Sequence, residues 1–246
     1  MGDLRTALVS SVQEAGVYAT KARGRLNKKV SSIQDIEKRC HSIISREIRS
    51  CDPQISVWGD DGQGRGVAVI CPIDSVLNFA RGFDYSVMAA YCEDGVPVIA
   101  AIHFPNTEQI YVAEEGNGTR VDGRRINTNE RQELHGALIS CHCNDYSDER
   151  DSIGIAVLYA LSEKNVAWRN LGSPGAEYCF VAEGKLDGII VPSADSMHAA
   201  GYLIAKEAGA EVSDWRGKDV SIFSQAVVAA NSKLHAKLID VLCREL

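Results

Sequence analysis

The stretch Val67–Gly82, V-A-V-I-C-P-I-D-S-V-L-N-F-A-R-G, carries the local signals on which the fold prediction depends. Its first five residues are an apolar, mostly β-branched run that predicts a buried strand. Pro72 ends that strand, because proline has no backbone N–H to donate to a sheet. Asp74 and Ser75 are good N-cap residues and precede a short helical stretch, 76–80. Such a junction is typical of metal and phosphate sites. The helix N-terminus favours an anion, and the carboxylate can hold a cation beside that anion.

Apolar periodicity and turn dipeptides extend this prediction in both directions along the chain. Helical spacing predicts helices over residues 3–22 and about 32–48. After Gly82, turn signals divide residues 85–126 into the strands of an antiparallel meander. From residue 137 the pattern alternates, with strands at 137–143, 166–171, 186–191 and 226–230 and helices at 149–163, 174–182, 195–208 and 232–246. We therefore predict sheets covered by helices, in two interlocked halves that meet near residue 135.

Composition and charge exclude several classes of function. With 45% hydrophobic and 24% charged residues, the 246-residue chain is ordinary for a globular protein. The formal net charge of −7 argues against nucleic acid as a partner, and the basic run 21–29 is interpreted as a solvated helix end and loop. No apolar run approaches about 18 residues and the N-terminus has no signal pattern, so we expect no membrane association and a cytoplasmic location.

The eight cysteines include no C-x-x-C pair and lie mostly in apolar segments, which indicates reduced thiols that pack as small hydrophobes. The sequence Cys141-His142-Cys143 resembles a metal site at first sight. On a strand, however, its two cysteines point to one face and its histidine to the other. We therefore do not predict a metal site there.

Six stretches of the chain, in order over about residues 5–235, resemble the motifs of one known protein family. C-P-I-D-S-V-L-N-F-x-x-G is similar to the family's D-P-I-D-G-T-x-N-F-x-x-G. Gly59-Asp60-Asp61 resembles G-E-E, and Arg169–Ser173 resembles R-x-x-G-S. The remaining matches are Phe104–Gly123 to E-x-x-x-A-x-x-G-x-G-A-x-x-N-G, Ala182–Asp187 to A-x-G-x-x-D, and Ala199–Gly201 with Glu207–Gly209 to W-D-x-A-A-G-x-L-I-x-E-A-G-G. Together these stretches resemble the inositol monophosphatase family, the lithium-sensitive sugar phosphatases.

The resemblance implies a mixed α/β fold, a layered α-β-α-β-α sandwich of the inositol monophosphatase and fructose-1,6-bisphosphatase type. It implies one domain over residues 1–246, with halves at about 1–135 and 136–246. The implied activity is Mg²⁺-dependent hydrolysis of a small phosphorylated polyol or sugar, such as inositol monophosphate. Members of the family commonly form homodimers, and some bacterial relatives act in RNA polymerase regulation, which implies a protein partner.

Carried over residue by residue, the resemblance assigns a partial site. The implied metal ligands are Asp60, Asp74 and the Ile73 carbonyl, and the two aspartates are also the remaining catalytic residues. The implied phosphate-binding residues are Ser75, Val76, Gly172 and Ser173.

The chain departs from the family at several positions that matter for catalysis. Cys71 stands where the family has the aspartate that bridges two metals, and Met197 stands where it has the aspartate of W-D-x-A-A-G. Val76 replaces the threonine whose hydroxyl orients the attacking water. Because Mg²⁺ prefers oxygen ligands at about 2.0–2.1 Å, sulfur is a poor substitute. We therefore expect impaired catalysis and a role in ligand or protein binding, with Mg²⁺ held weakly or not at all.

Two alternatives remain open from the sequence. In the first, the protein is an active phosphatase with a reduced metal set. In the second, Cys71, Asp74 and His198 form a softer Zn²⁺ site. The simpler structural interpretation makes Cys71 a buried small hydrophobe and Met197 an apolar plug in the metal cavity. His198 is then a surface or capping histidine.

Overall fold

The computed structural model describes residues 2–24, 30–59, 66–142 and 151–245. The α-helices in these ranges are α1 Gly2–Arg23, α2 Val30–Cys51, α3 Val76–Arg81, α4 Asp151–Glu163, α5 Pro174–Ala182, α6 Ala199–Glu207 and α7 Ser232–Glu245. The strands are β1 Ser56–Val57, β2 Val67–Cys71, β3 Val87–Glu93, β4 Val96–Phe104, β5 Gln109–Glu114, β6 Gly118–Val121, β7 Arg124–Arg125, β8 Leu138–Cys141, β9 Ala167–Arg169, β10 Gly188–Val191, β11 Glu211–Ser213 and β12 Val227–Ala230. A 3₁₀ turn, Ser196–His198, leads directly into α6.

The first sheet holds β1 to β7 in chain order. β1 and β2 pair in parallel, and each later neighbour pairs antiparallel, which confirms the predicted meander. Between β3 and β4, Asp94 and Gly95 have φ values of 50° and 79°, the left-handed geometry that a two-residue hairpin turn requires. β4 is buried along all but its first residue, so helices must cover both faces of this sheet.

The second sheet has the strand order β11-β12-β10-β8-β9. β8, β9 and β10 run parallel to one another, whereas β12 is antiparallel to both β10 and β11. Every residue of β10 and β12 is buried, and every residue of the edge strand β9 is exposed.

Apolar cores join these elements into five layers. α1 and α2 pack on the outer face of the first sheet, around Leu8 and Ile99. α5 and α6 lie between the two sheets. One apolar core packs these helices against the first sheet, and another packs them against the second sheet. α4 and α7 cover the outer face of the second sheet, around Leu161 and Leu238. This order of layers confirms the predicted α-β-α-β-α sandwich.

Several element boundaries differ from the sequence prediction. The helix predicted over 195–208 begins as a 3₁₀ turn, because the Asp195 side chain accepts a hydrogen bond from the Met197 N–H at 2.8 Å. Within 120–126, by contrast, the turn dipeptide Asp122-Gly123 separates β6 from β7 as predicted, and both of its residues have positive φ. α1 ends at Arg23, and residues 25–29 of the basic run lie outside the described ranges. None of the helices in the described ranges is long and apolar enough to cross a membrane.

Candidate functional site

The candidate site lies where three segments of the chain meet. These are the β2–α3 junction, the loop that precedes α5, and the 3₁₀ turn that precedes α6. Asn78 joins the first two, because its Nδ2 donates to the Leu171 carbonyl at 3.0 Å. The 3₁₀ turn packs against β2. The residues that the structure brings into this region are Cys71, Asp74, Ser75, Val76, Gly172, Ser173 and Met197.

Asp74 uses both carboxylate oxygens to accept hydrogen bonds from the protein itself. Its Oδ1 accepts from the Ser86 N–H at 2.7 Å. Its Oδ2 accepts from the Ser173 hydroxyl at 2.6 Å and from the Gly175 N–H at 2.9 Å. Ser173 and Gly175 lie at the start of α5, so the carboxylate stabilises the positive end of that helix. Burial raises the pKa of Asp74, and the hydrogen bonds from Ser173, Ser86 and Gly175 oppose this rise.

Cys71 is a core residue. It is 8% exposed, pairs with Met88 across β2 and β3, and packs in the core between the first sheet and α5 and α6. Burial raises the pKa of its thiol well above the ordinary value, and the carboxylates of Asp74 and Asp195 raise it further. The side chain is therefore a neutral thiol, as predicted for a small hydrophobe.

Met197 does not fill a buried cavity. It is 39% exposed in the 3₁₀ turn, and its backbone N–H donates to Asp195. The prediction of an apolar plug is therefore wrong, because this turn leaves the side chain partly in solvent.

His198 is buried, which contradicts the prediction of a surface or capping histidine. It is 5% exposed, makes no capping hydrogen bond, and packs against the aromatic rings of both Tyr178 and Tyr202, which also contact each other. Its Nδ1 is 3.4 Å from the Tyr178 hydroxyl. Burial, with a smaller contribution from the nearby His142, lowers the pKa of His198 to about 3. The side chain is therefore neutral at physiological pH.

The donor set of the described residues does not fit Mg²⁺. No group of three or more His, Cys, Asp or Glu side chains in the described ranges is placed to hold a metal ion, so Cys71, Asp74 and His198 do not form the zinc site. Asp60 and Asp61 lie outside the described residues. The remaining predicted positions offer the Ile73 carbonyl, the Asp74 carboxylate, which already accepts three hydrogen bonds, and the sulfur atoms of Cys71 and Met197. Mg²⁺ binds such sulfur atoms poorly.

The four predicted phosphate-binding residues lie at two adjacent helix starts. Ser75 caps α3 by accepting the Asn78 N–H at 3.3 Å, and Val76, the first residue of α3, is 39% exposed. The Gly172 N–H donates to Asn170 at 2.9 Å, and Ser173 caps α5 while donating to Asp74. Two of the donors expected to bind a phosphate, the Gly172 N–H and the Ser173 hydroxyl, thus already donate hydrogen bonds within the protein.

A buried acid in α5 is a further feature of the site that the sequence prediction missed. Glu177 is fully buried, and its Oε1 accepts the Leu171 N–H at 2.7 Å. Its Oε2 lies 2.9 Å from Nδ1 of His142, which is 6% exposed at its side chain. This pair connects the loop before α5 to the end of β8. His142 thus contacts a carboxylate, while Cys143 lies outside the described residues.

The burial of these thiols predicts a selective pattern of alkylation. Cys51 and Cys243 are exposed, whereas Cys71 and Cys179 are buried with pKa values well above the ordinary value. Because the thiolate is the reactive form, iodoacetamide at pH 8 should modify Cys51 and Cys243 before the other cysteines of the described ranges. Peptide mapping by mass spectrometry checks this order. Early modification of Cys71 in the folded chain would contradict its assignment as a core residue.

Comparison with known proteins gives a consistent result. The family model described as "Inositol monophosphatase family" matches residues 6–246. The chain is 28% identical to the fructose-1,6-bisphosphatase/inositol-1-monophosphatase of Thermotoga maritima, over 85% of this chain and 81% of that protein. It is 26% identical to Nus factor SuhB of Vibrio cholerae, over 82% of this chain and 78% of that protein. A solved structure of a Thermotoga maritima IMPase matches with a TM-score of 0.84 and 25% identity, covering 99% of this chain and 98% of that one.

Proposed function

The chain belongs to the inositol monophosphatase family, and from this premise we propose that it is a member with impaired metal-dependent hydrolysis. We propose that it acts by binding a phosphorylated ligand or another protein. The observation that carries the proposal is that three protein donors occupy both carboxylate oxygens of Asp74. Both lone pairs of Oδ2 are thus used, so one lone pair of Oδ1 is left for a cation. To bridge two cations, the carboxylate would have to give up hydrogen bonds, and that exchange costs free energy.

The chemistry of the neighbouring positions supports the same proposal. Cys71 contributes a neutral, buried thiol, and Met197 contributes a thioether. Val76 lacks the hydroxyl that the family places at this position. Asp60 and Asp74 alone do not neutralise two or three divalent ions held about 3.5–4 Å apart.

Metal binding by the unmodified chain tests this proposal. We expect no saturable binding of Mn²⁺ at millimolar concentration, measured by electron paramagnetic resonance of the free ion. The Asp74→Asn variant is the matched control and should behave as the parent does. Stoichiometric binding that Asp74→Asn abolishes would contradict the proposal.

Ligand binding in the absence of metal tests whether the two helix starts still form a phosphate-binding site. Ser75 and Val76 at α3 lie beside Gly172 and Ser173 at α5, and Asn78 joins the two segments. Helix starts favour anions. We expect inositol 1-phosphate to bind saturably in the presence of a chelator, measured by calorimetry, and inositol itself to bind more weakly. Equal binding of the two compounds would contradict a phosphate site.

The second candidate function is an active phosphatase with a reduced metal set. Relatives named inositol-1-monophosphatase support it, because one from Mesorhizobium japonicum is 25% identical over 98% of each chain. In this alternative Asp60 and Asp74 hold the cation. Binding to another protein is supported instead by the relatives named Nus factor SuhB.

We also propose that the chain forms a homodimer through exposed apolar side chains near Asn78. Leu77 is 63% exposed and Phe83 66% exposed at the two ends of α3, and Leu171 is hydrogen-bonded to Asn78 through its carbonyl. Trp168 is 42% exposed on the edge strand β9, a kind of strand that natural proteins usually cover or charge.

A charge-introducing variant tests the homodimer. The double variant Leu77→Lys/Trp168→Glu places two charges in the proposed interface, where burying them is costly. We expect the parent to sediment as a dimer and the variant as a monomer with unchanged circular dichroism. Ile155→Lys, at a similarly exposed position on α4, is the control and should remain dimeric. A monomeric parent would contradict the proposal.

A further inference from the structure

A cavity of about 420 Å³ lies between the end of α3, the turn that joins β4 to β5, and α5. Its volume falls within the range of small-molecule sites, about 300–1,000 Å³. Four aromatic residues contribute to its wall: Phe83, Phe104, Tyr111 and Phe180. Phe104 and Tyr111 pack edge to face with ring centroids 5.5 Å apart, which fixes this part of the wall. The cavity shares Ser173 with the candidate phosphate site but contains neither Asp74 nor Val76.

The charge of the wall indicates the class of ligand. Among the described residues that line the cavity, Asp84 is the only one with a charged side chain. Asp84 is exposed, and its Oδ1 accepts a hydrogen bond from Asn106 at 2.8 Å. Aromatic faces carry a negative quadrupole and attract cations, and a carboxylate beside them adds to that attraction. A phosphate would find no basic side chain among these lining residues.

The basic groups behind the wall do not reverse this preference. The Lys185 Nζ lies 4.9 Å from the centroid of the Phe180 ring, but it is paired with Glu183 Oε2 at 2.6 Å. Arg23 donates to Asn106 at 3.2 Å and lies over the rings of Phe79 and Tyr85, neither of which lines the cavity. The Lys185 charge is compensated locally, and the Asp84 carboxylate remains the charge at the cavity itself.

We propose that this cavity binds a small organic ammonium ion with an apolar body. The apolar body fills the aromatic part of the cavity, and the ammonium group lies near the Asp84 carboxylate. This cation site is distinct from the proposed phosphate site, because the neighbouring helix starts favour an anion. Its test therefore succeeds or fails independently of metal binding and hydrolysis.

Benzyltrimethylammonium, titrated into the full chain and followed by ligand-observed NMR, tests the proposal. We expect saturable binding that is about tenfold tighter than that of its neutral isostere neopentylbenzene. Asp84→Asn should weaken binding of the cation about fivefold to tenfold and leave binding of the neutral compound unchanged. Asp94→Asn, the same charge change at an exposed hairpin turn, should alter neither. No saturable binding, or equal binding of the cation to parent and Asp84→Asn, would overturn the proposal.

Two further variants test whether the ligand occupies the cavity itself. Thr107→Trp places a large ring at an exposed position of the cavity wall and should abolish binding of both compounds while the circular dichroism stays unchanged. Phe83 and Leu171 also belong to the proposed dimer interface, so the titration is repeated on Leu77→Lys/Trp168→Glu. Binding to both the parent and this variant supports the proposal. Binding to this variant alone would mean that a second copy of the chain fills the cavity, which overturns it.

Discussion

Replacing Asp74 by alanine should lower the free energy of unfolding by about 3 kcal/mol, because three donors lose their acceptor at once. The donors are the Ser86 and Gly175 N–H groups and the Ser173 hydroxyl. The Ser173 hydroxyl also caps α5, so the loss extends to the start of that helix. Urea denaturation followed by circular dichroism measures the change. In a protein that needs Asp74 for catalysis alone, the same substitution would leave stability nearly unchanged.

Asp84→Ala is the matched control for this prediction. Asp84 is exposed, and its carboxylate accepts one described hydrogen bond from another side chain, that of Asn106. We expect it to cost less than about 1 kcal/mol. If the two alanine variants lose the same stability, the structural role of Asp74 is contradicted.

The pH dependence of the unfolding free energy is a second test of the environment of the Asp74 carboxyl group. Because burial raises the pKa of Asp74 above its ordinary value of 3.8, the folded chain binds a proton there that the unfolded chain has released. The contribution of Asp74 to stability is therefore fully present below pH 3.8 and declines as pH rises through the folded pKa. Asp74→Asn should remove this decline. An unchanged pH profile of the unfolding free energy would contradict the raised pKa.

Restoring the family's ligands should produce the largest change in activity. The triple variant Cys71→Asp/Met197→Asp/Val76→Thr returns two carboxylates and one hydroxyl to the positions at which this chain departs from the family. We expect Mg²⁺-dependent phosphate release from inositol 1-phosphate about 100-fold above that of the parent, equivalent to about 2.7 kcal/mol of barrier. A metal set acts by neutralising charge and activating water, so the gain should require added Mg²⁺.

The restored variant needs controls because Cys71 is buried. A carboxylate at position 71 is costly in a core unless a cation compensates it, so thermal unfolding is measured with and without Mg²⁺. We expect the triple variant to gain stability when Mg²⁺ is added and the parent to gain none. Met197→Asp alone changes a partly exposed position and should fold as the parent does. Hydrolysis by the parent at the rate of the triple variant would contradict the account.

The sequence predicted the fold well where the signals were local. The apolar run before Pro72 is β2, the N-cap at Ser75 starts α3, and Pro174 begins α5. These signals act within a few residues, so a single sequence contains them. The order of the family motifs extended the prediction to all five layers, and the observed packing confirmed it.

The site was harder to predict, because its contacts are long-range. Ser86 and Gly175, which bind Asp74, are 12 and 101 residues away along the chain, and no local pattern points to either. Position 175 requires glycine, because a Cβ atom there would lie only 2.8 Å from Asp74 Oδ2. The sequence predicts a surface or capping role for His198, because residues 195–208 have a helical pattern. Packing against Tyr178 and Tyr202 buries it instead.

Phosphate release by the unmodified chain tests the central claim most directly. The assay uses inositol 1-phosphate with excess Mg²⁺ or Mn²⁺, and the triple variant is measured beside the parent. We predict that the parent releases phosphate no faster than its own Asp74→Asn variant. Robust Mg²⁺-dependent turnover by the parent, abolished in Asp74→Asn, would contradict the account and establish a working phosphatase with a reduced metal set.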